Sequence, residues 1–251
     1  MSTARSLARR VRQQLRRGGI VNRGGRGVVG LIDVGSVGEL SEPWYRHAAS
    51  VSHVLKFEPR DPSRRLRNVE TIDAALWKEP ARLPFYVYKG LQGTGSSLFR
   101  QNLDYVRQNF ETLRKRGPIE LAETWLERSE IDHVVELDCT TLDEVLSNQP
   151  KPYHVLKVDA QGAEQQILEG AIDYLAGGDC QALHLELFRI PLYENATLRP
   201  DVQAWLEERG FDLVKENHPH GTFDSQNDCV FLRRDAKGPI AGTIRSVYGL
   251  S

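Results

Sequence analysis

Short apolar segments that end in an acidic residue recur along this 251-residue chain, and they limit its fold more than any other feature. Residues 28–35, 53–59 and 154–159 contain three such segments, each short enough to be a strand buried on both faces. Segments with helical spacing of apolar residues, such as 163–176, follow the strands. This alternation predicts a mostly parallel sheet with helices on both faces.

The last part of the chain predicts a change in strand direction. A strand over 182–187 and a helix over 201–209 continue the alternation, but no helix separates the strands predicted over 211–215 and 229–232. Two such strands pair as an antiparallel hairpin. We therefore predict an α/β fold with a doubly wound sheet, mostly parallel, with a C-terminal antiparallel hairpin. In such a sheet the ligand binds outside the carboxyl ends of the strands.

The chain divides into a central domain and two flanking segments. We predict a basic N-terminal arm over 1–27, a ligand-binding domain over 28–234 and a C-terminal tail over 235–251. Within the domain, residues 80–137 interrupt the alternation and are predicted to be an insertion that resembles a lid. Residues 1–26 contain arginines but no acidic residue. They form either a solvated arm or an amphipathic helix that contacts a membrane surface or another polyanion.

Charge, apolar runs and cysteine content exclude several classes of protein. The net charge is −1, so the chain as a whole is not attracted to nucleic acid. No run approaches the ~18 consecutive apolar residues of a membrane span, and the basic arm lacks the apolar core of a signal peptide. The 3 cysteines are widely spaced and fit neither a disulfide framework nor a zinc site. These features predict a cytoplasmic protein with reduced thiols.

A turn that contains glycine follows the first predicted strand. Gly35 and Gly38 let the backbone approach a ligand closely. Glu58 ends the second strand, where a carboxylate can accept hydrogen bonds from both hydroxyls of a ribose. The spacing also fits a nicotinamide dinucleotide, and an ordinary turn with a surface carboxylate is the further alternative. The predicted cofactor-binding residues are Asp33, Gly35, Ser36, Val37, Gly38, Glu58 and Pro59.

A second group of polar residues follows the later strands. Asp159 ends a strand in the middle of the sheet and faces the expected ligand cleft. His184 and Glu186 share one face of the next strand because side chains alternate along it. We predict catalytic roles for Asp159, His184 and Glu186, with a core histidine and a salt bridge as the alternative for the latter two. Glu164 is predicted to cap the helix that follows Asp159.

The order of these motifs resembles that of the FkbM-type methyltransferases. The resemblance extends over roughly residues 30–233, and its most specific block is 157–164, followed by Gly170 and Ala171. The turn at 33–38 departs from the family pattern because it is shorter and lacks an asparagine. The resemblance implies a class I methyltransferase (Rossmann-like) fold that binds S-adenosylmethionine (SAM), with its methionine part at the turn and its ribose at Glu58.

The resemblance also implies a SAM-dependent O-methyltransferase that acts on a hydroxyl of a sugar, a glycan or a secondary metabolite. A carboxylate or histidine would take the proton of that hydroxyl, with Asp159 as the first choice. A divalent metal held by Asp159 and Glu186 is chemically possible, but the spacing indicates none, so no metal ligand is predicted. Packing is the favoured role for Trp44, Tyr45 and Tyr193, with stacking on a ring of the acceptor as the alternative. His218 and His220 are placed at the border of the same pocket.

Two other functions stand as alternatives. One is a noncatalytic scaffold or binding protein that has kept the methyltransferase fold, which the shortened turn would favour. The other is a nicotinamide-dependent oxidoreductase, against which the incomplete glycine fingerprint counts. The sequence predicts neither the identity of the acceptor nor an oligomeric state.

Overall fold

The computed structural model describes residues 27–35, 38, 40–90 and 94–250. The predicted site residues Ser36 and Val37 and the basic arm over 1–26 lie outside the described residues. The strands are β1 (Val29–Val34), β2 (Val51–Phe57), β3 (Arg64–Leu66), β4 (Val69–Ile72), β5 (Ala75–Leu76), β6 (Ala81–Tyr88), β7 (Ile131–Thr140), β8 (Val155–Val158), β9 (Ala182–Phe188), β10 (Phe211–Glu216) and β11 (Gln226–Arg233).

Eight of these strands form one large sheet in the order β10-β11-β9-β8-β1-β2-β4-β3. The centre of the sheet, from β4 to β9, is parallel. Both edges are antiparallel, because β11 pairs antiparallel with β9 and β10, and β3 pairs antiparallel with β4. The predicted doubly wound sheet with a C-terminal hairpin is confirmed. The direction of strand order reverses between β1 and β8, where such sheets bind ligands.

Helices cover one face of this sheet through a continuous apolar core. Strand residues such as Leu156, Leu183 and Phe231 pack there against Leu168 and Leu206. The α-helices of the described residues are α1 (Leu103–Leu113), α2 (Ile119–Glu123), α3 (Trp125–Arg128), α4 (Leu142–Leu146), α5 (Glu164–Glu169), α6 (Ile172–Ala176), α7 (Arg199–Glu208) and α8 (Gly238–Tyr248). None of these helices combines the length and the apolar character that a membrane crossing requires.

The opposite face of the sheet is covered by α8. Ile244 and Val247 pack against strand residues such as Val29, and Tyr248 accepts a 2.9 Å hydrogen bond from the indole of Trp44. The prediction of a C-terminal tail over 235–251 is therefore wrong for this helix. Apolar residues repeat along it at helical spacing, and they bury the sheet face that the tail prediction would leave exposed.

The single helix predicted over 163–176 is two short helices, α5 and α6. Gly170 ends the first of them, in close contact with the loop after β5. A Cβ atom at Gly170 would lie 2.1 Å from the carbonyl oxygen of Trp77, so only glycine fits there. This tertiary contact is not visible in the helical pattern of the sequence.

The predicted insertion over 80–137 contains the β6–β7 hairpin and helices α1 to α3. β7 also pairs with β5, so these strands form a separate sheet in the order β5-β7-β6. A small apolar cluster joins the helices to the large sheet, with Val106 and Trp125 packing near Phe188 and Phe223. The insertion is thereby attached beside the carboxyl end of β9.

Candidate active site

A pocket opens at the carboxyl ends of β1, β2 and β8, at the reversal of strand order. Its space, including the part open to solvent, is about 540 Å³. Four predicted site residues line it together: Gly35, Glu58, Pro59 and Asp159. Apolar side chains that include Phe57 form the rest of its wall. These residues are far apart in the sequence, and the fold brings them together at this pocket.

Gly35 forms the tight turn that the sequence predicts after β1. Its φ of 81° lies in the left-handed region that favours glycine. A Cβ atom there would lie 1.8 Å from the carbonyl oxygen of Asp159, so this glycine lets the ends of β1 and β8 meet. Gly38 has a φ of 85°, and its carbonyl accepts a 2.8 Å hydrogen bond from Lys56 Nζ.

Glu58 is buried at the end of β2, and its carboxylate is oriented by Arg60. The backbone nitrogen and the Nε atom of Arg60 both donate to Glu58 Oε1, at 3.1 and 3.0 Å. A carboxylate offers about four acceptor positions. Glu58 therefore has capacity to accept from a diol in the pocket while Arg60 holds its plane. The sequence analysis did not assign Arg60 a role.

Asp33 lies away from the pocket wall, on the face that α8 covers. It is fully buried, and the strand register places it between Lys56 of β2 and Lys157 of β8. Lys157 Nζ lies 3.7 Å from Asp33 Oδ1 and 3.5 Å from Asp159 Oδ2. Burial disfavours the charged form of Lys157, but Asp159 and Asp33 outweigh it and raise its pKa. Direct contact of Asp33 with a cofactor stays a prediction.

Asp159 and Glu186 are joined by the side chain of Gln161. The Gln161 amide donates to Asp159 Oδ1 at 2.7 Å and to Glu186 Oε2 at 3.0 Å. Gln161 has a φ of 53°, a backbone conformation that costs a non-glycine residue ~1–2 kcal/mol. Such strain is typical of functional sites, and no sequence signal showed this role for Gln161.

The two carboxylates have different charge environments. Burial opposes ionisation of Asp159, but Lys157 and its hydrogen-bond partners outweigh it and lower the pKa. Burial and the Asp159 carboxylate raise the pKa of Glu186, against the opposing effect of His220. Asp159 is therefore the group that stays ionised beside the pocket.

Two further residues, His220 and Asp228, extend this group of polar side chains. His220 Nε2 lies 3.1 Å from Glu186 Oε1, and Asp228 is the direct cross-strand partner of Glu186. The sequence placed His220 only at the border of the acceptor site and did not single out Asp228. A long-range strand pairing brings Asp228 there, so no local pattern indicates it.

His184 occupies the buried core environment that the sequence analysis gave as the alternative to a catalytic role. It shares the sheet face of Glu186, as the alternation requires, but it does not line the pocket. Its ring is buried edge-on against Tyr248, and its Nε2 atom lies 3.6 Å from Asp228 Oδ1. The position two residues back from Glu186 lies beneath α8, so His184 contacts Asp228 rather than a substrate in the pocket.

The aromatic residues expected near the acceptor are mostly structural. Trp44 is fully buried in the core beneath α8, so it packs in the core and does not stack on an acceptor. Tyr193 is also buried, and its hydroxyl donates to the carbonyl of Gly95 at 2.7 Å. Ser96, from the same loop of the insertion, does line the pocket. The loop therefore closes one side of the site.

Glu164 caps the loop between β8 and α5. Its Oε1 atom accepts hydrogen bonds from the backbone nitrogens of Ala160 and Gly162, at 2.9 and 3.1 Å. Glu164 lies in the first turn of α5, as predicted, but it bonds the loop before the helix and not the N–H groups of the helix itself. Burial raises the pKa of Glu164 from 4.5 to about 8, against the effect of these hydrogen bonds. Because both bonds end on one oxygen, a protonated carboxyl keeps them.

Replacing Glu164 with glutamine should increase stability, and more so as the pH rises from 5 to 8. Across this window the folded protein holds a proton that the unfolded chain has lost, so the wild-type free energy of unfolding falls with pH. Glutamine keeps the Oε1 acceptor and stays neutral. We expect a gain on the order of 1–2 kcal/mol at pH 7, measured by urea denaturation.

The exposed Glu208→Gln variant is the control, and its stability should follow the wild type at each pH. If Glu164→Gln is less stable than the wild type throughout, the loop requires an ionised carboxylate and the assignment is wrong.

The strand order and the pocket at its reversal point define the class I, Rossmann-like methyltransferase architecture. Residues 34–213 match the FkbM methyltransferase domain. The chain therefore belongs to the FkbM methyltransferase family. This membership identifies the chain as a methyltransferase. The alternative function of a nicotinamide-dependent oxidoreductase is therefore not supported.

The chain is also similar to two known proteins, one by sequence and one by structure. The chain is 26% identical over 209 residues to the methyltransferase sdnD of Sordaria araneosa, covering 74% of each chain. It is also similar to the crystal structure of an FkbM methyltransferase from Methylobacillus flagellatus KT, with 11% identity and a TM-score of 0.43. That match covers 84% of this chain but 46% of the solved one, so this chain spans about half the length of the solved protein.

Proposed function

We propose that this protein uses SAM to methylate a hydroxyl group of a sugar, a glycan or a secondary metabolite. The observation that carries the proposal is the single pocket lined by Gly35, Glu58 and Asp159, from three adjacent strand ends. The turn at Gly35 would match the methionine part of SAM, and the buried Glu58 carboxylate would match its ribose. The ionised Asp159 carboxylate would match the hydroxyl of the acceptor.

The residues of the pocket fit SAM as the cofactor. Glu58 would accept hydrogen bonds from the two ribose hydroxyls. The turn at Gly35 allows close approach of the methionine part, and Phe57 and Leu76 offer apolar surface to the flat adenine ring. SAM supplies a methyl group that is already activated by the sulfonium.

The chain itself must orient the acceptor and take its proton. A hydroxyl is a poor nucleophile until that proton leaves, and a carboxylate within hydrogen-bond reach can accept it. We assign this role to Asp159, which lines the pocket and which Gln161 and Lys157 hold in place. Glu186 does not line the pocket, and it is joined to Asp159 through the Gln161 amide.

The cofactor is tested by isothermal titration of the full chain with SAM and with S-adenosylhomocysteine. We expect binding near 1 μM for the wild type. Glu58→Ala should weaken it at least ~100-fold, because two hydrogen bonds to a charged group contribute about 1.5 kcal/mol each. Asp61→Ala is the matched control, since Asp61 is on the same loop but pairs with Arg64.

Both outcomes of this titration are informative. Loss of binding in Glu58→Ala alone would support the cofactor and its ribose contact, and it would justify a screen of hydroxyl acceptors. Absence of binding to the well-folded wild type would reject SAM use and favour the noncatalytic scaffold.

We further propose a cytoplasmic location, which rests on Cys139, Cys180 and Cys229 being free and buried.

Contact of the basic arm with a membrane surface or another polyanion stays a prediction. It is tested by co-sedimentation of the full chain and of a chain without residues 1–26 with anionic vesicles. Equal sedimentation of the two would reject the contact.

A further inference from the structure

Two carboxylates face each other across the antiparallel strands β9 and β11. Glu186 and Asp228 are direct cross-strand partners, so their side chains emerge on the same face of the sheet. Like charges in directly opposite positions destabilise a sheet. A cation close to both carboxylates would relieve this repulsion.

His220 approaches these carboxylates from the loop between β10 and β11. One ligand atom from each of Glu186, His220 and Asp228 lies within 4.8 Å of the other two. Atoms that bind one ion at ~2.0–2.2 Å are themselves about 3 Å apart. The 3.1 Å distance between His220 Nε2 and Glu186 Oε1 already fits this geometry.

The loop that carries His220 is fixed in position. The backbones of His220 and Gln226 exchange hydrogen bonds at 3.0 and 3.3 Å, and the Asn227 amide donates to the carbonyl of Asn217 at 2.8 Å. Phe223 is fully buried beneath the loop. His220 is therefore held toward the carboxylates before any ligand binds.

Other side chains support Asp228 from outside the three-residue group. Asn217 Nδ2 donates to Asp228 Oδ2 at 3.3 Å, and His184 Nε2 lies 3.6 Å from Asp228 Oδ1. Carboxylates that bind metal ions are commonly oriented by such outer partners. This arrangement gives the buried His184 a supporting role.

We propose that Glu186, His220 and Asp228 bind a divalent cation of the Mn²⁺ type. Carboxylate oxygens suit Mg²⁺ and Mn²⁺, and an imidazole nitrogen shifts the preference toward transition metals. This ligand set differs from the pair Asp159 and Glu186 considered from the sequence. The ion would hold the acceptor oxygen near Asp159, a role that rests on the proposed function, whereas ion binding itself does not.

The test is a titration of the metal-free full chain with Mn²⁺ in the absence of SAM, followed by the loss of the free-ion electron paramagnetic resonance signal. We expect about one ion per chain. His220→Ala and Asp228→Asn should each weaken binding at least ~10-fold. Glu216→Gln, on the neighbouring strand and paired with Arg199, is the control and should bind as the wild type does.

Circular dichroism of each variant distinguishes loss of a metal-binding side chain from loss of the fold. Asp228→Asn also keeps the size of the side chain. Wild-type binding no tighter than that of both ligand variants would overturn the proposal. A chain that binds SAM but not Mn²⁺ would reject the metal site alone. A chain that binds Mn²⁺ but not SAM would reject the proposed function and leave the metal site in place.

Discussion

Replacing Gly35 with alanine should destabilise the protein by roughly 3 kcal/mol or more and weaken SAM binding at least ~10-fold. The φ of 81° alone costs a non-glycine residue ~1–2 kcal/mol. In addition, the new methyl group would lie 1.8 Å from the carbonyl oxygen of Asp159, so the ends of β1 and β8 must separate. Urea denaturation and calorimetric titration with SAM measure the two effects.

Gly242→Ala is the matched control for this substitution. Gly242 lies in α8, and a Cβ atom there would have no heavy atom within 4 Å. Alanine should therefore stabilise the helix by about 0.5–1 kcal/mol. If Gly35→Ala leaves stability and SAM affinity unchanged, the turn does not hold the two strand ends together.

Lys157→Met should cost about 3–5 kcal/mol of stability, because it leaves buried carboxylates without their shared cation. Asp33 is fully buried and lies 3.7 Å from Lys157. Its carboxylate is therefore not solvated by bulk water once the ammonium group is removed. Lys56 remains on the other side of Asp33, so we expect the lower part of this range. Urea denaturation at pH 7 gives the measurement.

Two comparisons test the cause. The double variant Asp33→Asn with Lys157→Met also removes the buried carboxylate charge of Asp33 and should recover part of the loss. Lys78→Met replaces an exposed lysine and should change the free energy of unfolding by less than ~0.5 kcal/mol. A loss below 1 kcal/mol in Lys157→Met would show that Lys56 alone compensates Asp33.

The parts of the fold that depend on local pattern could be predicted from the sequence. The parallel strands are short and mostly apolar, and the acids at their ends identified Glu58 and Asp159. The helix break at Gly170 could not be predicted, because it depends on contact with Trp77. The apolar spacing of α8 was present in the sequence, but the interpretation as a tail overlooked it.

The candidate site follows the same division. Residues directly after the central strands were predicted, whereas Asp228 reaches the site only through the pairing of β11 with β9. For His184, alternation along the strand predicted the correct face of the sheet, but it did not predict that the ring is buried against Tyr248. Alternation along a strand predicts the sheet face on which a side chain lies. It does not predict which side chains on that face a helix covers.

The hydrogen bond between Trp44 and Tyr248 has a consequence for synthesis in the cell. The two residues are 204 positions apart, and chains elongate at ~5–20 residues per second, so roughly 10–40 seconds separate their appearance. During that interval the apolar residues of β1 and β2 that α8 later helps to cover, such as Val29 and Val54, are available to other nascent chains or to chaperones. We expect the yield of this protein to fall when translation between Trp44 and Tyr248 is slowed.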